Sequence, residues 1–314
     1  MDILIKKEHN GTVLREFLLD EIGISAAMLK HLKFVPDGIL VNGKHVTVRH
    51  ILREGENLFV KCEDDEPSEN IVPSDIKVEI AYEDDDIVVA DKPPFMPTHP
   101  SHGHFDDTLA NALCFRYMGE KSPFVFRPVN RLDRNTSGLV LVARTRIAAA
   151  RLSSEMSRGG IKKEYVAILS GVLPENEGEI DTYIRRENES IITRCVCGEG
   201  EGGDRALTRY RVLFCDGRHT VVLATPITGR THQLRLHFAH LGAPIIGDDM
   251  YGEVSEHIER HALHARRLTF THPSSGREME LVSPLPDDME RLIDRIFLGN
   301  DREKAREALR QQGE

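Results

Sequence analysis

Residues 127–142, RPVNRLDRNTSGLVLV, restrict the fold and the chemistry of this chain more than any other segment. A polar turn holds Asp133 between Arg131 and Arg134 and leads through Thr-Ser-Gly into the apolar run at residues 139–142. The apolar run predicts a buried strand, and a loop fixed to such a strand can present a side chain rigidly. Nearby positive charge favours the ionised form of a carboxylate, which is the form that acts as a nucleophile. From these residues alone, an ion pair that only closes the loop is at least as good an interpretation.

Strand and helix patterns continue on both sides of this segment without a regular alternation. Apolar or alternating stretches predict strands at residues 76–80, 87–90, 139–143, 165–169, 208–214 and 220–224. Helical spacing of apolar side chains occurs at residues 108–115, 146–155 and 232–241. Because strands and helices are mixed irregularly, we predict an α+β fold and not a doubly wound parallel sheet.

The start of the chain predicts a separate small module. Residues 13–22 carry apolar side chains at helical spacing, and Ser25 is a typical N-cap for a second helix. Two short strands joined at Asn42-Gly43 complete a module of two helices and a hairpin. The predicted organisation is a module at residues 1–62, an acidic linker at 63–75, a larger domain at 76–290 and a solvated helical tail at 291–314.

Composition excludes several classes of protein. Of the 314 residues, 40% are hydrophobic and 29% are charged, which is typical of a globular chain and not of a collagen or a disordered chain. No apolar run approaches the ~18 residues that span a bilayer, and the first residues lack the apolar core of a secretion signal. The five cysteines are odd in number and scattered, so we expect free thiols in a cytoplasmic protein without membrane attachment.

Charge is distributed unevenly along the chain. The net charge of −10 would argue against a nucleic-acid partner if the acidic residues were evenly spread. However, residues 63–100 alone carry 12 acidic and 2 basic side chains, whereas residues 127–163 carry nine Arg or Lys against two acids. The sequence therefore predicts a local positive field around residues 127–163, which suits a nucleic-acid partner.

Two other motifs suggest rival functions. The glycine-rich residues 198–203 match the letter pattern of a dinucleotide site, but an alternating strand pattern follows them, which favours a hairpin loop. Residues 99–107 contain three histidines and two aspartates, a density that could bind zinc or a two-metal centre in a metal-dependent hydrolase. No helical i, i+4 pair orders these ligands, so a polar loop is the better interpretation.

Residues 127–142 belong to a set of motifs that occur in the same order in one enzyme family. The other motifs are Asp91-Lys92-Pro93-Pro94, Lys162-Lys163-Glu164-Tyr165, Thr228-Gly229-Arg230-Thr231-His232-Gln233-Leu234-Arg235, Gly247-Asp248 and His264-Ala265. Residues 76–286 thereby resemble the RluA/RluD-type RNA pseudouridine synthases, and residues 12–60 resemble the α-L RNA-binding module that often precedes them. The resemblance implies an α+β catalytic domain with a mixed, largely antiparallel central sheet and a cleft.

The resemblance also implies roles for individual residues. Asp133 matches the nucleophile of the family, Tyr165 the residue that stacks on the target uracil, and Arg235 the ion-pair partner of the aspartate. Arg131 matches the arginine that displaces the base. The further substrate contacts that the motifs imply are Lys92, Thr136, Arg230 and His232.

Two positions depart from the family pattern. Asn130 stands where the family usually has His, and we expect this change to affect substrate contacts or loop packing rather than activity. Ser25 is followed by Ala26-Ala27 and not by the usual arginine, which weakens the predicted grip of the module on RNA.

The implied activity is the isomerisation of specific uridines in structured RNA, in ribosomal RNA rather than transfer RNA, by a monomer. Breaking the glycosidic bond, turning the base and rejoining it through carbon 5 needs one carboxylate and neither a cofactor nor a metal. Attack on the ribose and an elimination route both remain open. A non-catalytic RNA-binding protein is the alternative from another class, since the same positive field would bind RNA without the chemistry.

Overall fold

The computed structural model of the protein describes residues 1–24, 26–61, 68, 71–120, 122–187 and 192–312. The predicted N-cap Ser25 and most of the predicted linker at residues 63–75 lie outside the described residues. In the described part of the chain, no helix combines the length and the hydrophobicity that crossing a membrane requires.

The N-terminal part of the chain forms a four-stranded antiparallel sheet covered by short helices. Its strands are β1 (Asp2–Leu4), β2 (Ile39–Val41), β3 (Lys44–His45) and β4 (Asn57–Val60), in the spatial order β1-β4-β2-β3. Its helices are α1 (Leu14–Glu16), with a 3-10 turn before it at Lys7–His9 and a π-helical turn after it at Phe17–Glu21, and α2 (Ala26–Leu32). Leu14, Leu18 and Leu58 are fully buried between the helices and the sheet, because the apolar side chains predicted at residues 13–22 share one helix face.

A second sheet of eleven strands organises the rest of the chain. Its strands are β5 (Glu79–Glu83), β6 (Ile87–Lys92), β7 (Arg127–Pro128), β8 (Ser137–Ala143), β9 (Lys162–Ser170), β10 (Glu177–Arg186), β11 (Arg194–Cys197), β12 (Asp204–Cys215), β13 (His219–Pro226), β14 (Leu263–Thr271) and β15 (Glu278–Val282). The strand order is β11-β10-β12-β13-β9-β14-β8-β6-β5, with β15 beside β14 and β7 beside β8. Within the described residues, every pair in this sheet is antiparallel except β14 with β8. The predicted α+β class with a mixed, largely antiparallel central sheet is confirmed.

The central strand β8 is covered on both faces. All seven of its residues are buried, and successive side chains enter different clusters: Val140 and Val142 join the main core, whereas Leu139 and Leu141 join a smaller one. A strand that is buried on both faces has a continuous apolar sequence, as residues 139–142 do. The helices in contact with the main core are α3 (Leu109–Arg116), α5 (Gln233–His240), α6 (Asp287–Ile296) and α7 (Asn300–Arg310), and α4 (Arg146–Ser157) covers the smaller cluster.

The C-terminal helix α7 differs from the predicted solvated tail. Ala305 and Leu309, four residues apart on one face of α7, are 0% and 6% exposed and belong to the main core. The helix packs against β12 and α6. Its sequence is highly charged, so two apolar side chains were too weak a signal to predict that one face is buried.

Helix α4 connects the two sheets. Its Ile147 packs into the core of the N-terminal module. The side chain of Arg151 donates to the carbonyl of Ile22 at 2.8 Å and to the carbonyl of Pro273 at 2.6 Å. Arg151 therefore bonds both to the N-terminal module and to the loop after β14. The boundaries of the predicted domains stay a prediction.

Gly138 allows the parallel pairing that joins the loop of Asp133 to β14. Its φ is 112°, a value that residues with a side chain rarely adopt, and a Cβ atom at this position would overlap the backbone of Ala265 on β14. Asp133 lies only five residues before Gly138, so a shift of β8 here displaces the loop as well.

We predict that Gly138→Ala lowers the free energy of unfolding by about 3 kcal/mol or more, because backbone strain adds to a collision with a neighbouring strand. Denaturant unfolding followed by circular dichroism measures the change. Gly217→Ala is the matched control, because Gly217 has a similar φ of 88° but open space around its Cβ position. We expect this control to cost about 1 kcal/mol, and equal costs for the two variants would contradict the role of the Ala265 backbone.

Candidate active site

A cavity of about 570 Å³ opens between the loop that precedes β8 and the segment that follows β13. The walls also include residues of β9 and of helix α5. Of the eight site residues predicted from the sequence, seven line this cavity: Arg131, Asp133, Thr136, Tyr165, Arg230, His232 and Arg235. The structure thus brings together residues that are up to 104 positions apart in the sequence.

Asp133 presents an accessible carboxylate to the cavity. Its side chain is 25% exposed, and its Oδ2 atom lies 3.9 Å from Nε2 of His232 and 3.9 Å from Nη1 of Arg235. Both distances exceed that of a hydrogen bond, so the carboxylate lies in the field of both groups without being tied to either. A carboxylate held in this way can act on a bound ligand.

Buried hydrogen bonds fix the loop of Asp133 on both sides. The hydroxyl of Thr98 donates to the carbonyl of Leu132 at 2.8 Å and accepts from the N–H of Leu132 at 3.2 Å. The amide of Asn130 donates to the carbonyl of Leu139 at 3.1 Å and accepts from the N–H of Leu141 at 2.8 Å. Asn130 therefore attaches the loop to β8. The sequence predicted that Asn in place of His affects either substrate contacts or loop packing, and these hydrogen bonds are packing contacts of the loop.

Lys92 lies beneath the loop and does not line the cavity. It is fully buried, and its ammonium group donates to the carbonyls of Pro93, Met96 and Arg134 at 2.9, 2.8 and 3.2 Å. Burial and nearby Arg260 lower the pKa of Lys92 to about 7. With three carbonyl oxygens around its ammonium group, Lys92 supports the loop from behind, which is not the substrate contact predicted for it.

Arg235 makes its hydrogen bonds to a carboxylate other than the one predicted. Its Nε and Nη2 atoms donate to Oδ2 and Oδ1 of Asp248 at 2.7 and 2.6 Å, the parallel geometry in which guanidinium and carboxylate groups bind most strongly. The side chain of Asp248 is fully buried and also accepts from the N–H groups of Met250 and Tyr251. The predicted ion pair of Arg235 with Asp133 is present at 3.9 Å through Nη1, but the hydrogen bonds of the guanidinium go to Asp248, which the prediction did not include.

The same bonds control the charge of Asp248. Burial alone would raise the pKa of Asp248, but the bonds from Arg235 and from two backbone amides outweigh it and hold the pKa below its usual range. The buried pair is therefore ionised at neutral pH.

Tyr165 lines the cavity although it is almost fully buried. It lies on β9 and is 8% exposed. Burial, and to a smaller extent the charge of Asp133, raise the pKa of its hydroxyl well above the usual value. Tyr165 is therefore a neutral phenol whose ring offers an apolar surface to a flat ligand.

The remaining predicted residues differ in how accessible they are. Arg131 is exposed, and Arg230, which is about two-fifths exposed, donates to the carbonyl of Arg205 at 3.0 Å. Thr136 is buried, and its hydroxyl lies 2.8 Å from Nε2 of His261. Arg131 and Arg230 can therefore reach a ligand, whereas Thr136 is occupied in holding the loop.

The histidine-rich loop at residues 99–107 has no metal-site geometry among the described residues. His104 and Asp107 lie 2.6 Å apart, but no third ligand joins them, and the one group of His, Cys, Asp or Glu with ligand atoms within 4.8 Å is elsewhere, at Asp84, Asp86 and His272. In that group, Nδ1 of His272 accepts from two backbone N–H groups and Nε2 lies 2.7 Å from Asp84. This arrangement is a closed set of hydrogen bonds within the fold.

Comparison with known proteins identifies the family. Residues 86–240 match the family model for RNA pseudouridylate synthase. The chain is 38% identical over 273 residues to the uncharacterised RNA pseudouridine synthase YjbO of Bacillus subtilis, covering 87% of this chain and 95% of that protein. It is also 38% identical over 270 residues to ribosomal large subunit pseudouridine synthase D of Vibrio cholerae, covering 80% and 81% of the two chains. This chain belongs to the RNA pseudouridine synthase family.

Solved structures agree with this family. Human RNA pseudouridylate synthase domain containing 4 superposes with a TM-score of 0.57 and 26% identity, over 69% of this chain and 92% of that one. Human RNA pseudouridylate synthase domain containing 1 superposes with a TM-score of 0.54 and 31% identity, over 66% and 83%. The protein is thus an isomerase that acts on RNA, of the RluA/RluD type that its motifs resemble.

We predict that Asp248→Asn lowers the free energy of unfolding by about 3–5 kcal/mol, because it leaves the buried guanidinium of Arg235 without its charged partner. Chemical denaturation at pH 7 measures the loss. Asp133→Asn is the matched control, since it removes a carboxylate charge 3.9 Å from the same guanidinium, and we expect it to cost less than about 1 kcal/mol. A greater loss for Asp133→Asn would show that Asp133, and not Asp248, is the main partner of Arg235.

Proposed function

We propose that this synthase converts specific uridines in structured ribosomal RNA to pseudouridine and that Asp133 is its nucleophile. The observation that carries this proposal is the accessible carboxylate of Asp133 in a cavity whose other walls are Tyr165, His232 and Arg235. The cavity holds no second accessible carboxylate of the described residues, since Asp248 is buried and paired.

The reaction breaks the bond between N1 of uracil and C1′ of the ribose and forms a bond between C5 and C1′. The proton on C5 leaves and N1 gains a proton, so the product is an isomer of the substrate and no oxidant or reductant is consumed. Asp133 either attacks the ribose or assists an elimination from it, and both routes place its carboxylate beside the sugar. Tyr165 is suited to stack on the detached uracil because its phenol is neutral and it is an aromatic residue of the cavity lining.

A uridine in a helix must leave the base stack before it can enter this cavity. Extrusion costs a few kcal/mol and leaves a gap in the RNA. Arg131, exposed at the rim two residues before Asp133, is placed to fill that gap with a planar guanidinium. Arg230 on the opposite wall is placed for a phosphate contact.

A second cavity supports RNA binding away from the reacting base. It measures about 1050 Å³ and lies between the N-terminal module and α4. Four arginines and one aspartate contribute the ionised side chains of its lining, Arg127, Arg146, Arg151, Arg158 and Asp20. We call this cavity the basic groove, and its excess of positive charge suits the phosphate backbone of an RNA strand.

The basic groove and the active-site cavity are neighbours on the same two elements. Ser154 and Arg158 of the α4 region line the groove, whereas Ser157 lines the active-site cavity. Arg127 faces the groove and Arg131, four residues later, faces the active site. An RNA that occupies the groove therefore extends towards the active site, which gives the module a role in presenting the target uridine.

The choice of ribosomal over transfer RNA is supported by the relatives named ribosomal large subunit pseudouridine synthase D in Vibrio cholerae and Pseudomonas aeruginosa. A monomeric state and a cytoplasmic location stay predictions of the sequence.

We predict that Asp133→Asn abolishes pseudouridine formation and leaves RNA affinity within about twofold, because only the nucleophile is lost. The assay uses ribosomal RNA from cells that lack the gene and maps pseudouridine by chemical labelling and reverse transcription. Asp106→Asn is the control, since Asp106 lies in the histidine-rich loop outside the cavity. Retained turnover in Asp133→Asn would contradict the assignment, and loss of activity in Asp106→Asn that zinc restores would favour a metal-dependent enzyme.

We predict that Arg158→Glu raises KM for RNA about tenfold at 0.1 M salt with kcat unchanged, because the groove contributes binding and not chemistry. The slope of log Kd against log salt should also decrease, by about one for each phosphate that the groove no longer neutralises. Arg302→Glu, an exposed change of equal charge on α7, is the matched control. Equal effects of the two variants would show that net charge, and not the groove, governs RNA binding.

A further inference from the structure

Tyr251 contacts both of the groups that face Asp133. Its hydroxyl oxygen accepts from the backbone N–H of Arg194 at 2.9 Å and lies 2.8 Å from Nδ1 of His232. Its ring packs edge-on against the imidazole of His232, with 5.6 Å between the ring centres. The guanidinium of Arg235 lies over the same ring, with its Cζ atom 5.1 Å from the ring centre. Tyr251 therefore connects β11, the start of α5 and the turn that follows Asp248.

The tautomer of His232 depends on which group donates in the bond between Tyr251 and Nδ1. The oxygen of Tyr251 accepts from the N–H of Arg194, and among the described residues Nδ1 of His232 is the acceptor available to the hydroxyl proton. When the hydroxyl donates to Nδ1, a neutral imidazole carries its proton on Nε2. Nε2 is the atom that faces Asp133.

The two groups that face Asp133 approach the same carboxylate oxygen. Nε2 of His232 and Nη1 of Arg235 each lie 3.9 Å from Oδ2, and the described residues place no hydrogen-bond or ion-pair partner on Oδ1. One oxygen of Asp133 thus lies between two donors, while the other is left for a ligand in the cavity. Distances of this length are common before substrate binds, because catalytic hydrogen bonds often tighten only in the complex.

We propose that Tyr251 is a positioning residue of this synthase: it fixes His232 as a neutral Nε2–H donor, which with Arg235 orients Asp133 so that Oδ1 is the oxygen that acts on the uridine. This inference rests on the proposed function, since it assigns different roles to the two oxygens of the nucleophile. Neither the motif resemblance nor the relatives assign a role to Tyr251.

One turn controls both donors. Asp248 holds Arg235 through two hydrogen bonds, and the N–H of Tyr251 donates to Oδ1 of the same Asp248 at 3.1 Å. His232 itself has a left-handed backbone, with φ of 58°, which is uncommon for residues with a side chain, although His adopts it more often than most. The bond to Tyr251 and the packing of the two rings hold its side chain in this setting.

The charged and titratable groups around His232 come from every neighbouring element. They are Asp133 in the loop before β8, Arg194 on β11, Arg235 on α5, Asp248 and Tyr251 in the turn, and His261 before β14. Burial, with Arg235 and Arg194, lowers the pKa of His232 below its usual value, and Asp133 and Asp248 act in the opposite direction. The hydrogen bond that Tyr251 donates to Nδ1 further favours the neutral form.

Tyr251→Phe tests the proposal because it keeps the ring and removes only the hydroxyl. On ribosomal RNA from cells lacking the gene, we expect kcat to fall about three- to tenfold with KM unchanged. We also expect the acid limb of the pH–rate profile to move to higher pH, since His232 without a donor at Nδ1 is protonated more easily. Tyr82→Phe is the matched control, because its hydroxyl donates to Asp84 outside the cavity.

Two variants of His232 separate the donor from the backbone conformation. Glutamine places an amide N–H at the position of Nε2, whereas asparagine reaches only the position of Nδ1 but tolerates the left-handed backbone better. We expect His232→Gln to retain more kcat than His232→Asn. The reverse order would mean that the backbone conformation, and not the Nε2–H group, is what His232 contributes.

A measurement on the unmodified protein does not depend on how the variants fold. The ¹⁵N chemical shifts of labelled His232 at neutral pH should report a neutral ring protonated at Nε2, and protonation at Nδ1 would overturn the proposal. An inactive parent enzyme would overturn the proposed function and this inference with it. An active parent with an inactive Asp133→Asn variant, but with a Tyr251→Phe variant that matches the parent in kcat and pH profile, would overturn this inference alone.

Discussion

The buried pair of Arg235 and Asp248 is the constraint on which the active site depends. Moving two such charges out of water costs several kcal/mol each, and only close, two-pronged bonding offsets that cost. The pair therefore fixes the start of α5 against the turn that follows Asp248, and the one remaining nitrogen of the guanidinium faces Asp133 at 3.9 Å. Asp133 experiences a positive group that is already neutralised and held still, so it gains orientation without becoming locked in an ion pair.

The loop of Asp133 is positioned by neutral hydrogen bonds and by one buried ammonium group. Thr98 and Lys92 bind its backbone, the side chain of Asn130 bonds it to β8, and Gly138 lets the following strand approach β14. Each contact ends on a main-chain group, so the loop conformation does not depend on the charge of Asp133. The hydrogen bonds that hold the loop therefore do not involve the carboxylate of Asp133. We expect that replacing this carboxylate leaves the loop conformation nearly unchanged.

Much of this arrangement could be predicted from the sequence, because local patterns determine it. The apolar run at residues 139–142 predicted a buried strand, and ordered motifs predicted which segments meet around Asp133. The partner of Arg235 could not be predicted in the same way. The motifs contain several carboxylates, Asp133 and Asp248 among them, and only the tertiary structure decides which of them lies in the plane of the guanidinium. The position of Lys92 could not be predicted for a similar reason. A lysine in a motif suggests a substrate contact, and the sequence gives no sign that its ammonium group is buried in the protein.

Uneven charge explains how an acidic chain can act on a polyanion. At physiological ionic strength charges act over about 8 Å, so an RNA strand responds to the side chains it approaches and not to the net charge of −10. The basic groove offers four arginines against one aspartate, and the excess of acidic over basic residues lies in a different part of the sequence, at residues 63–100. Within the active site itself, Asp248 neutralises Arg235, and the other cationic side chains of the cavity lining are Arg131, Lys163 and Arg230. In the proposed function, the basic groove binds the RNA backbone and the adjoining cavity holds the reacting uridine.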